Sequence, residues 1–463
     1  MTRRRGLSMK RNSTIRTALA FDDVLIVPSE TGVKPADVQT HTQLTRNISL
    51  HLPLVAAPCA HVTESAMAIA IAELGGIGVI HRHMPLGKQV EEVRRVKRRQ
   101  AHVVTTPITI SPDASLAEAM DLMATYHVSA LPVIEQPSRA VAGIITRRDV
   151  NFVEDAGQPV STLMSREVVT AKPGVSPDVA RQIMHKHRIE KLVVVDEQGR
   201  CAGLLTLKDM DRIARSPKAS VDAQGRLRVA AAVGTGKEAL DRTIAMADAG
   251  LDVVFIDVAH AHTREAAATI SQIRQQRATD IQVIAGNVVT AEAARSLIDA
   301  GADAIKVGIG GEPHAPTRRL SGVGVPQLQA VLDVVEACDM QDIPVLVDGG
   351  LITAERCAKA LAAGGRALVL DTLFAGAEES PGHVVYHDGR LYRTLTPKAP
   401  VIAGLADALR LDEGDIDTST PYTGPVAHMV AGLMTGIVTA MAYAGARDIA
   451  QFRSNAEFVR VTA

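Results

Sequence analysis

Three acidic or amide side chains directly follow short apolar runs in the second half of the chain. Asp257 ends one run, Asn287 follows another, and Asp348 ends a third and precedes Gly349 and Gly350. Carboxylate and amide groups in such places could bind hydroxyl groups or exchange protons with a ligand. The alternative is structural, because an aspartate after a strand often caps the next helix. The choice between the two depends on the fold that carries these side chains.

Eight short apolar runs alternate with helical patterns. They lie at residues 54–57, 77–80, 229–233, 253–257, 283–286, 304–307, 345–348 and 367–370. Buried strands that alternate with helices predict a parallel α/β sheet, and eight such units predict a closed (β/α)8 TIM barrel. An open doubly wound sheet is the alternative, but no GxGxxG motif follows the first strand of either barrel-like region. In a barrel the three polar strand ends would lie where active sites form.

An internal repeat interrupts this pattern after the second run. One copy ends in AGIITRRD at residues 142–149 and the other in AGLLTLKD at residues 202–209, each after an amphipathic helix and a β hairpin. Self-similarity over a whole unit indicates a duplicated small domain. We therefore predict a first barrel part at residues 1–99, two repeat units at 100–158 and 159–216, and the barrel remainder at 217–463.

Composition excludes several classes of protein. The 463 residues are 46% hydrophobic but only 2% aromatic, so the core must be aliphatic, and 50 basic residues balance 51 acidic ones. This balance argues against a general nucleic-acid or membrane-surface binder. The four cysteines show no metal-finger spacing, which favours a reduced, cytoplasmic setting. No signal peptide is expected after the basic N-terminus, and no run of about 18 apolar residues is expected to span a membrane.

The segment 306–327 carries the most specific motif, KVGIGGEPHAPTRRLSGVGVPQ. It resembles the active-site loop of the IMP dehydrogenase and GMP reductase family, roughly GxGPGSxCTTRxxxGVGxPQ, and matches both flanks without a gap. Further matches are FDDVLIVP at residues 21–28, GGIGVIH at 75–81, AGNV at 285–288, VDGG at 347–350 and FAGAEESPG at 374–382. The repeat looks like a tandem pair of CBS domains, a Bateman module, inserted where IMP dehydrogenases carry theirs. The resemblance covers nearly the entire chain.

Ala315 stands where the family has its cysteine nucleophile. In the family a thiolate attacks C2 of the purine, and hydride then passes to or from a nicotinamide. A thiolate serves because it is both a good nucleophile and a good leaving group, and a methyl group is neither. The neighbours differ as well, since Glu312 and Pro313 replace a Gly-Ser pair and His314 precedes Ala315. A single engineered or erroneous change would have left these neighbours intact.

The phosphate contacts implied by the resemblance are also altered. Family members hold the phosphate with the serine of this loop, with a Gly-Ser pair after the last strand, and with backbone N–H groups at a following helix. Here Pro313 replaces the serine and has lost its N–H, and Asp371 with Thr372 replaces the Gly-Ser pair. A carboxylate beside a phosphate is repulsive. The flap is shortened, and the Arg-Tyr pair that activates water in the dehydrogenases has no counterpart before Glu413.

The resemblance implies roles for the residues at the barrel mouth. The residue matching Asp348 binds ribose hydroxyls in the family, and the residue matching Asp257 lies on the nicotinamide side. The candidate catalytic residues are Thr317, His314, Glu312 and Asp257; the candidate substrate-binding residues are Asp348, Gly349, Gly350, Asp371 and His61; and the candidate cofactor-binding residues are Asp257, Asn287, Gly308 and Gly310. NAD(P) and a monovalent cation are the candidate cofactors.

Five residues that depart from the family pattern fall on the catalytic face by this alignment. They are Cys59, His61, Glu312, His314 and Asp371. Such a set could form an acid–base or metal-binding constellation. Against a metal site stands the spacing, which is not local and matches no HxH or HExxH motif. For His314 the alternative is a solvated loop histidine.

The resemblance also implies partners for the repeat and for the whole chain. CBS pairs bind adenine nucleotides between their copies, and Thr146, Asp149, Thr206 and Asp209 match the positions that hold the ribose. A scaffold that has stopped sensing nucleotides is the alternative. Family barrels assemble as homotetramers, and their CBS modules join tetramers into octamers, so we expect a homotetramer or an octamer.

Three functional hypotheses remain open at this stage. The first is a repurposed barrel enzyme that acts on a purine-like or other small ligand without a cysteine thioimidate, with adenine-nucleotide regulation through the repeat. The second is an ordinary NAD(P)-dependent IMP dehydrogenase or GMP reductase. The third is a catalytically silent nucleotide-binding regulator. We favour the first, because strands and turns keep the family pattern while substitutions concentrate at the substrate face.

Overall fold

The computed structural model describes residues 15–99, 107–126, 128–151, 153–276, 281–312, 315–395 and 419–461. Its centre is a closed barrel of eight parallel strands. In chain order these strands are β1 (Leu54–Ala56), β2 (Ile77–Ile80), β3 (Ala230–Val233), β4 (Val253–Asp257), β5 (Gln282–Val288), β6 (Ala304–Val307), β7 (Val345–Asp348) and β8 (Ala367–Leu370). The predicted strands are therefore confirmed to within a few residues.

Eight helices surround the strands and complete the TIM barrel. They are α1 (Ser65–Leu74), α2 (Leu86–Arg99), α3 (Gly236–Asp248), α4 (Arg264–Gln275), α5 (Ala291–Asp299), α6 (Gln327–Asp339), α7 (Ala354–Ala362) and α8 (Val426–Tyr443). The barrel closes where β8 pairs with β1 in parallel, with Leu368 opposite Leu54. This pairing excludes the open doubly wound sheet, which would leave both edge strands unpaired.

Side-chain alternation divides the aliphatic core into two layers. On β4, Val253 and Phe255 point into the barrel and pack against Leu346 and Val369. Val254 and other alternate residues face the helices instead. Because residues two apart on a strand share a face, the last residue of an inward row projects toward the barrel mouth. This rule decides which polar side chains reach the site.

The inserted segment contains two units with the same order of elements. In the first, helix Leu116–Thr125 precedes strands Ala130–Ile134 and Val141–Thr146 and helix Arg147–Val150. In the second, strand Thr170–Ala171 and helix Pro177–His187 precede strands Lys191–Val195 and Cys201–Thr206 and helix Leu207–Arg215. A shared cluster that includes Ile134 and Val193 joins the two units. Their identification as CBS domains and the bounds of the four predicted segments stay predictions.

Smaller elements surround the barrel. A two-stranded sheet pairs Val24–Ile26 with Phe458–Arg460, and a second pairs Thr42–Gln43 with Ser49–Leu50. A third sheet joins Val384–His387, Arg390–Thr394 and Ser419–Pro421. The remaining helices of the described residues are Phe21–Asp23, Pro35–Asp37, Val160–Thr162, Pro316–Ser321 and Ile449–Asn455. The predicted shortening of the flap concerns residues 396–418, which lie outside the described residues.

Helix α8 bears on the expectation that no segment spans a membrane. It spans 18 residues with a mean hydropathy of 1.5, so by length and composition it could cross a membrane. The sequence analysis overlooked it because histidine, threonine and glycine interrupt its apolar run. In the structure α8 packs on α1 and α7 as the eighth barrel helix. Gly436 permits this close approach, since a Cβ atom there would lie 2.4 Å from the Ala354 Cβ.

Candidate functional site

A buried lysine organises the centre of the barrel mouth. Lys306 follows Ala304 on β6, and the alternation turns its side chain into the barrel, where only 2% of it is exposed. Asp257 ends the inward row of β4, and Asp348 that of β7. The side chains of one cation on β6 and two carboxylates at the ends of β4 and β7 therefore point to the same place inside the barrel mouth.

The lysine contacts both carboxylates directly. Lys306 Nζ lies 2.7 Å from Asp257 Oδ1 and 2.6 Å from Asp348 Oδ2, and it also donates to Asn287 Oδ1. Burial opposes the charge on the amine, but the two carboxylates outweigh burial and raise the pKa of Lys306 above its ordinary value. The group is therefore a lysinium held between two aspartates, and it is unsuited to act as a base at neutral pH.

Two amide side chains fix the position of Asp348. Asn287 Nδ2 donates to Asp348 Oδ2 at 3.0 Å and to the Gly308 carbonyl at 2.6 Å. Gln327 Nε2 donates to the Asp348 carbonyl at 3.0 Å. Gly308 must be glycine, because its φ is +145° and a Cβ atom would lie 1.9 Å from the Asp348 carbonyl oxygen. The network pre-organises Asp348, about a fifth of whose side chain stays exposed at 22%.

A second ion pair lies beside the two glycines after β7. Glu312 Oε2 is 3.0 Å from Arg356 Nη1, and the same nitrogen donates to the Gly350 carbonyl at 3.2 Å. Arg356 also donates twice to the carboxylate of Asp22. Glu312 sits so close to Gly350 that a Cβ atom there would lie 2.4 Å from Glu312 Oε1. The space over these glycines thus holds a carboxylate of the chain itself.

Three more polar side chains meet on the other side of the mouth. Cys59 and His61 belong to the loop after β1, and Asp371 directly follows β8. His61 Nε2 lies 2.8 Å from Asp371 Oδ1, and one ligand atom from each of the three residues lies within 4.8 Å of the others. Burial, followed by the charges of Asp371, Asp257 and Asp348, raises the pKa of the Cys59 thiol well above its ordinary value. This cysteine is therefore a poor substitute for an activated thiolate.

The described part of the rewritten loop carries no thiol in place of the family cysteine. Ala315 precedes helix Pro316–Ser321, on which Thr317 is exposed. Gly310 packs against the backbone of the next turn, where a Cβ atom would lie 2.5 Å from the Val323 carbonyl oxygen. His314 lies outside the described residues. The catalytic roles predicted for Thr317 and His314 stay predictions.

The structure groups the predicted residues differently from the alignment. Glu312 is removed from the proposed five-residue constellation, because its carboxylate pairs with Arg356. Cys59, His61 and Asp371 do meet. Sequence reasoning missed Lys306 and Arg356 as site residues. Lys306 had a readable signal, since a charge at an alternate position of a buried run must point into the barrel.

The predicted nucleotide residues of the repeat have a structural role of their own. Asp149 Oδ2 accepts from both the backbone N–H and the hydroxyl of Thr146, each at 2.7 Å, and so caps helix Arg147–Val150. Thr206 ends the matching strand of the second unit. The side chain of Asp209 lies outside the described residues.

The arrangement at the mouth is suited to bind a polar ligand without forming a covalent bond to it. Asp348 and Asp257 present partly exposed carboxylates, which accept hydrogen bonds from hydroxyl groups. Lys306 neutralises these two carboxylates in part. Glu312, which pairs with Arg356, and Asp371, which contacts His61, add negative charge at the rim. Such a surface attracts hydroxylated or cationic ligands and opposes a dianion.

Comparisons with known proteins agree with this architecture. The sequence pattern described as the IMP dehydrogenase / GMP reductase domain matches residues 18–463. The chain is similar to the inosine-5'-monophosphate dehydrogenase of Aquifex aeolicus, with 42% identity over 97% of this chain and 94% of that protein. The Bacillus subtilis enzyme of the same name is 40% identical over 96% of this chain and 94% of its own length.

A solved structure matches the whole chain as well. It is a cysteine-to-alanine variant of GMP reductase from Trypanosoma brucei in complex with guanosine 5'-monophosphate. The TM-score is 0.85 and the identity 34%, and the match covers 97% of this chain and 96% of that chain.

Proposed function

The chain belongs to the IMP dehydrogenase / GMP reductase family, and we propose that its barrel binds a purine nucleoside-type ligand without the covalent step or the phosphate grip of that family. The proposed ligand carries ribose hydroxyls but no 5'-phosphate dianion. The protein would act on it by chemistry that needs no cysteine thioimidate. This proposal develops the first of the three hypotheses drawn from the sequence.

The Glu312 carboxylate over Gly350 is the observation that carries the proposal. By the resemblance, the loop that contains Glu312 holds the nucleotide phosphate through a serine, which is Pro313 in this chain. Here Glu312 lies against Gly350 and already holds Arg356, whose other donors go to Asp22. A phosphate about 4 Å from a carboxylate would be opposed by about 4 kcal/mol per charge pair at an effective dielectric of 20, and Arg356 offsets this only in part because it is shared between Glu312 and Asp22. A neutral hydroxymethyl group would meet no such penalty.

The ribose part of the site supports binding of a nucleoside. Asn287 and Lys306 fix one oxygen of Asp348 and leave the carboxylate partly exposed at the mouth. A carboxylate fixed in this way can accept hydrogen bonds from two vicinal hydroxyls without reorganising. The related variant of GMP reductase also shows that a family barrel with alanine for cysteine is compatible with a bound purine nucleotide.

Removal of the Glu312 charge should improve binding of a nucleotide. We expect Glu312→Gln to raise the affinity for IMP relative to inosine by at least about 10-fold, because a like charge disappears and Arg356 gains a free donor. Isothermal titration of both ligands into the variant and the unmodified protein measures this ratio. Glu238→Gln is the matched control, since Glu238 lies at the start of α3 on the same rim with 78% of its side chain exposed. An unchanged ratio would contradict the assignment of Glu312.

NAD(P) and a monovalent cation stay proposed cofactors. Asp257 fits a nicotinamide nucleotide in one respect, because a quarter of its side chain is exposed at the mouth and can accept a ribose hydroxyl. Two other candidates contact each other, because Asn287 Nδ2 donates a hydrogen bond to the Gly308 carbonyl. A nicotinamide would supply hydride acceptance or donation, while the chain's own residues would orient its ribose.

We also propose that the repeat binds an adenine nucleotide. The two units pack together through a shared apolar cluster, and Thr146 and Thr206 end the equivalent strands of the two units. Asp149→Ala should weaken ATP binding about 10-fold, because a hydrogen bond to a charged group contributes about 1.5–3 kcal/mol. Calorimetry with the full chain measures this change. Asp155→Ala, in an exposed loop of the same unit, should bind ATP normally, and equal losses in both variants would refute a specific role for Asp149.

Assembly as a homotetramer or an octamer is likewise a proposal that rests on the resemblance. Exposed apolar side chains on the barrel support it, among them Leu320 and Val323 beside the mouth and Tyr443 at the end of α8. Exposed apolar side chains of this kind are commonly buried at subunit interfaces.

A further inference from the structure

The cluster of Cys59, His61 and Asp371 lies on two loops that the barrel holds rigidly together. Strands β8 and β1 are neighbours, and the Ala57 N–H donates to the Leu370 carbonyl at 3.0 Å just before both loops begin. The Cys59 N–H then donates to the Ala57 carbonyl at 2.8 Å. The three side chains are thus positioned by backbone contacts and do not depend on a flexible segment.

The geometry points to a binding site for a transition-metal dication, and we propose that Cys59, His61 and Asp371 are its three protein ligands. One thiol sulfur, one imidazole nitrogen and one carboxylate oxygen lie within 4.8 Å of one another. Ligand atoms of a tetrahedral zinc ion lie about 3.3–3.7 Å apart, given metal–ligand distances of about 2.0–2.3 Å. A small rearrangement of side chains would bring the set to this spacing.

The surrounding charges favour a cation at this point. The carboxylates of Asp371, Asp257 and Asp348 all lie close enough to the Cys59 thiol to act on it electrostatically. A dication would reverse their effect, since it displaces the thiol proton and binds the thiolate. A thiolate and an imidazole together select zinc and similar ions over magnesium or calcium.

A cysteine–histidine–aspartate nucleophile is the main alternative, and the contacts argue against it. In such a triad the histidine stands between the thiol and the carboxylate. Here the Cys59 thiol is hydrogen-bonded to Asp371 itself, and His61 Nε2 contacts the same carboxylate at 2.8 Å. The carboxylate therefore lies between the thiol and the imidazole. This order is expected when all three groups bind one metal ion, whereas in a triad the histidine would lie between the other two.

Three protein ligands would leave a fourth position open. Structural zinc sites use four protein ligands, whereas catalytic sites keep one position for water or substrate. Asp371 has 40% of its side chain exposed, so the open position would face the mouth. The inference does not depend on which organic ligand the barrel binds, since it concerns only the ion.

Cobalt titration of the full-length protein tests the site. We expect one Co²⁺ per chain, with a near-ultraviolet thiolate-to-cobalt charge-transfer band that added Zn²⁺ abolishes. Cys59→Ser should remove the band, and His61→Gln or Asp371→Asn should weaken Co²⁺ binding at least about 10-fold. Cys201→Ser is the matched control, because Cys201 is a buried free cysteine in the inserted repeat and should leave the band unchanged.

Two outcomes would overturn the inference. One is the absence of a charge-transfer band in the unmodified protein at a saturating Co²⁺ concentration. The other is a band that survives in Cys59→Ser. Circular dichroism spectra of all variants distinguish a lost ligand from a lost fold, and His61→Gln and Asp371→Asn test the site again without touching the thiol.

Discussion

No NADH forms when IMP and NAD are mixed with the unmodified protein: this is the outcome we expect from Ala315. The family reaction passes through a covalent bond between a cysteine sulfur and the purine, and a methyl group cannot form it. Removal of a covalent nucleophile costs a hydrolase about 10⁶-fold in kcat, so we expect turnover at least about 10⁴-fold below that of an active relative. Absorbance of NADH, with the Bacillus subtilis enzyme as positive control, measures it.

The change Ala315→Cys should not restore this activity. The restored thiol would leave Glu312 and Asp371 unchanged, and their carboxylates oppose the phosphate that positions the purine. The preceding Pro313 also has no N–H to offer. Robust NADH formation by the unmodified protein would show that the chain is an ordinary dehydrogenase, and robust formation by Ala315→Cys alone would show that its phosphate site is intact.

Replacement of Lys306 by methionine should cause the largest loss of stability. Lys306→Met keeps the length of the side chain but leaves Asp257 and Asp348 facing each other in the barrel without their shared cation. Removal of one partner from a buried ion pair costs about 3–5 kcal/mol. Urea denaturation should therefore show a free energy of unfolding lower by about this amount.

A surface lysine provides the control for this measurement. Lys88 pairs with Glu64 at 2.7 Å, but 51% of its side chain is exposed, so Lys88→Met should cost less than about 1 kcal/mol. The pKa of Lys306 is raised in the folded protein. Its charge therefore stabilises the fold at neutral pH, and this contribution is lost only as the pH rises from the ordinary lysine value through the raised one. Equal effects of the two variants, or a Lys306 effect that vanishes near neutrality, would contradict the network.

The barrel was predictable from the sequence because its signals are local. Each strand is a short buried run, and each predicted strand is confirmed within a few residues. The helices between the strands were also anticipated, since helical patterns alternate with the eight apolar runs. Boundaries of this kind follow from alternation and turn residues, which a single sequence displays.

The contacts at the mouth were not predictable, because they join residues that are distant in sequence. Lys306 pairs across 49 and 42 residues with Asp257 and Asp348, and Arg356 reaches back 334 residues to Asp22. Nothing in the local pattern of Glu312 shows that an arginine of α7 will hold it. The absence of a local ligand motif, which argued against a metal site, is uninformative for the same reason. Asp371 meets His61 only because β8 pairs with β1.

The affinity of the unmodified protein for inosine and for IMP tests the central claim most directly. Isothermal titration of both ligands at one salt concentration measures whether the barrel binds a nucleoside and whether the phosphate helps. We predict that, in the metal-free protein, inosine binds and IMP binds no more tightly, because the Glu312 and Asp371 carboxylates oppose the dianion. Binding of IMP at least about 100-fold tighter, a difference of about 2.7 kcal/mol, would contradict the account, as would the absence of binding by both ligands.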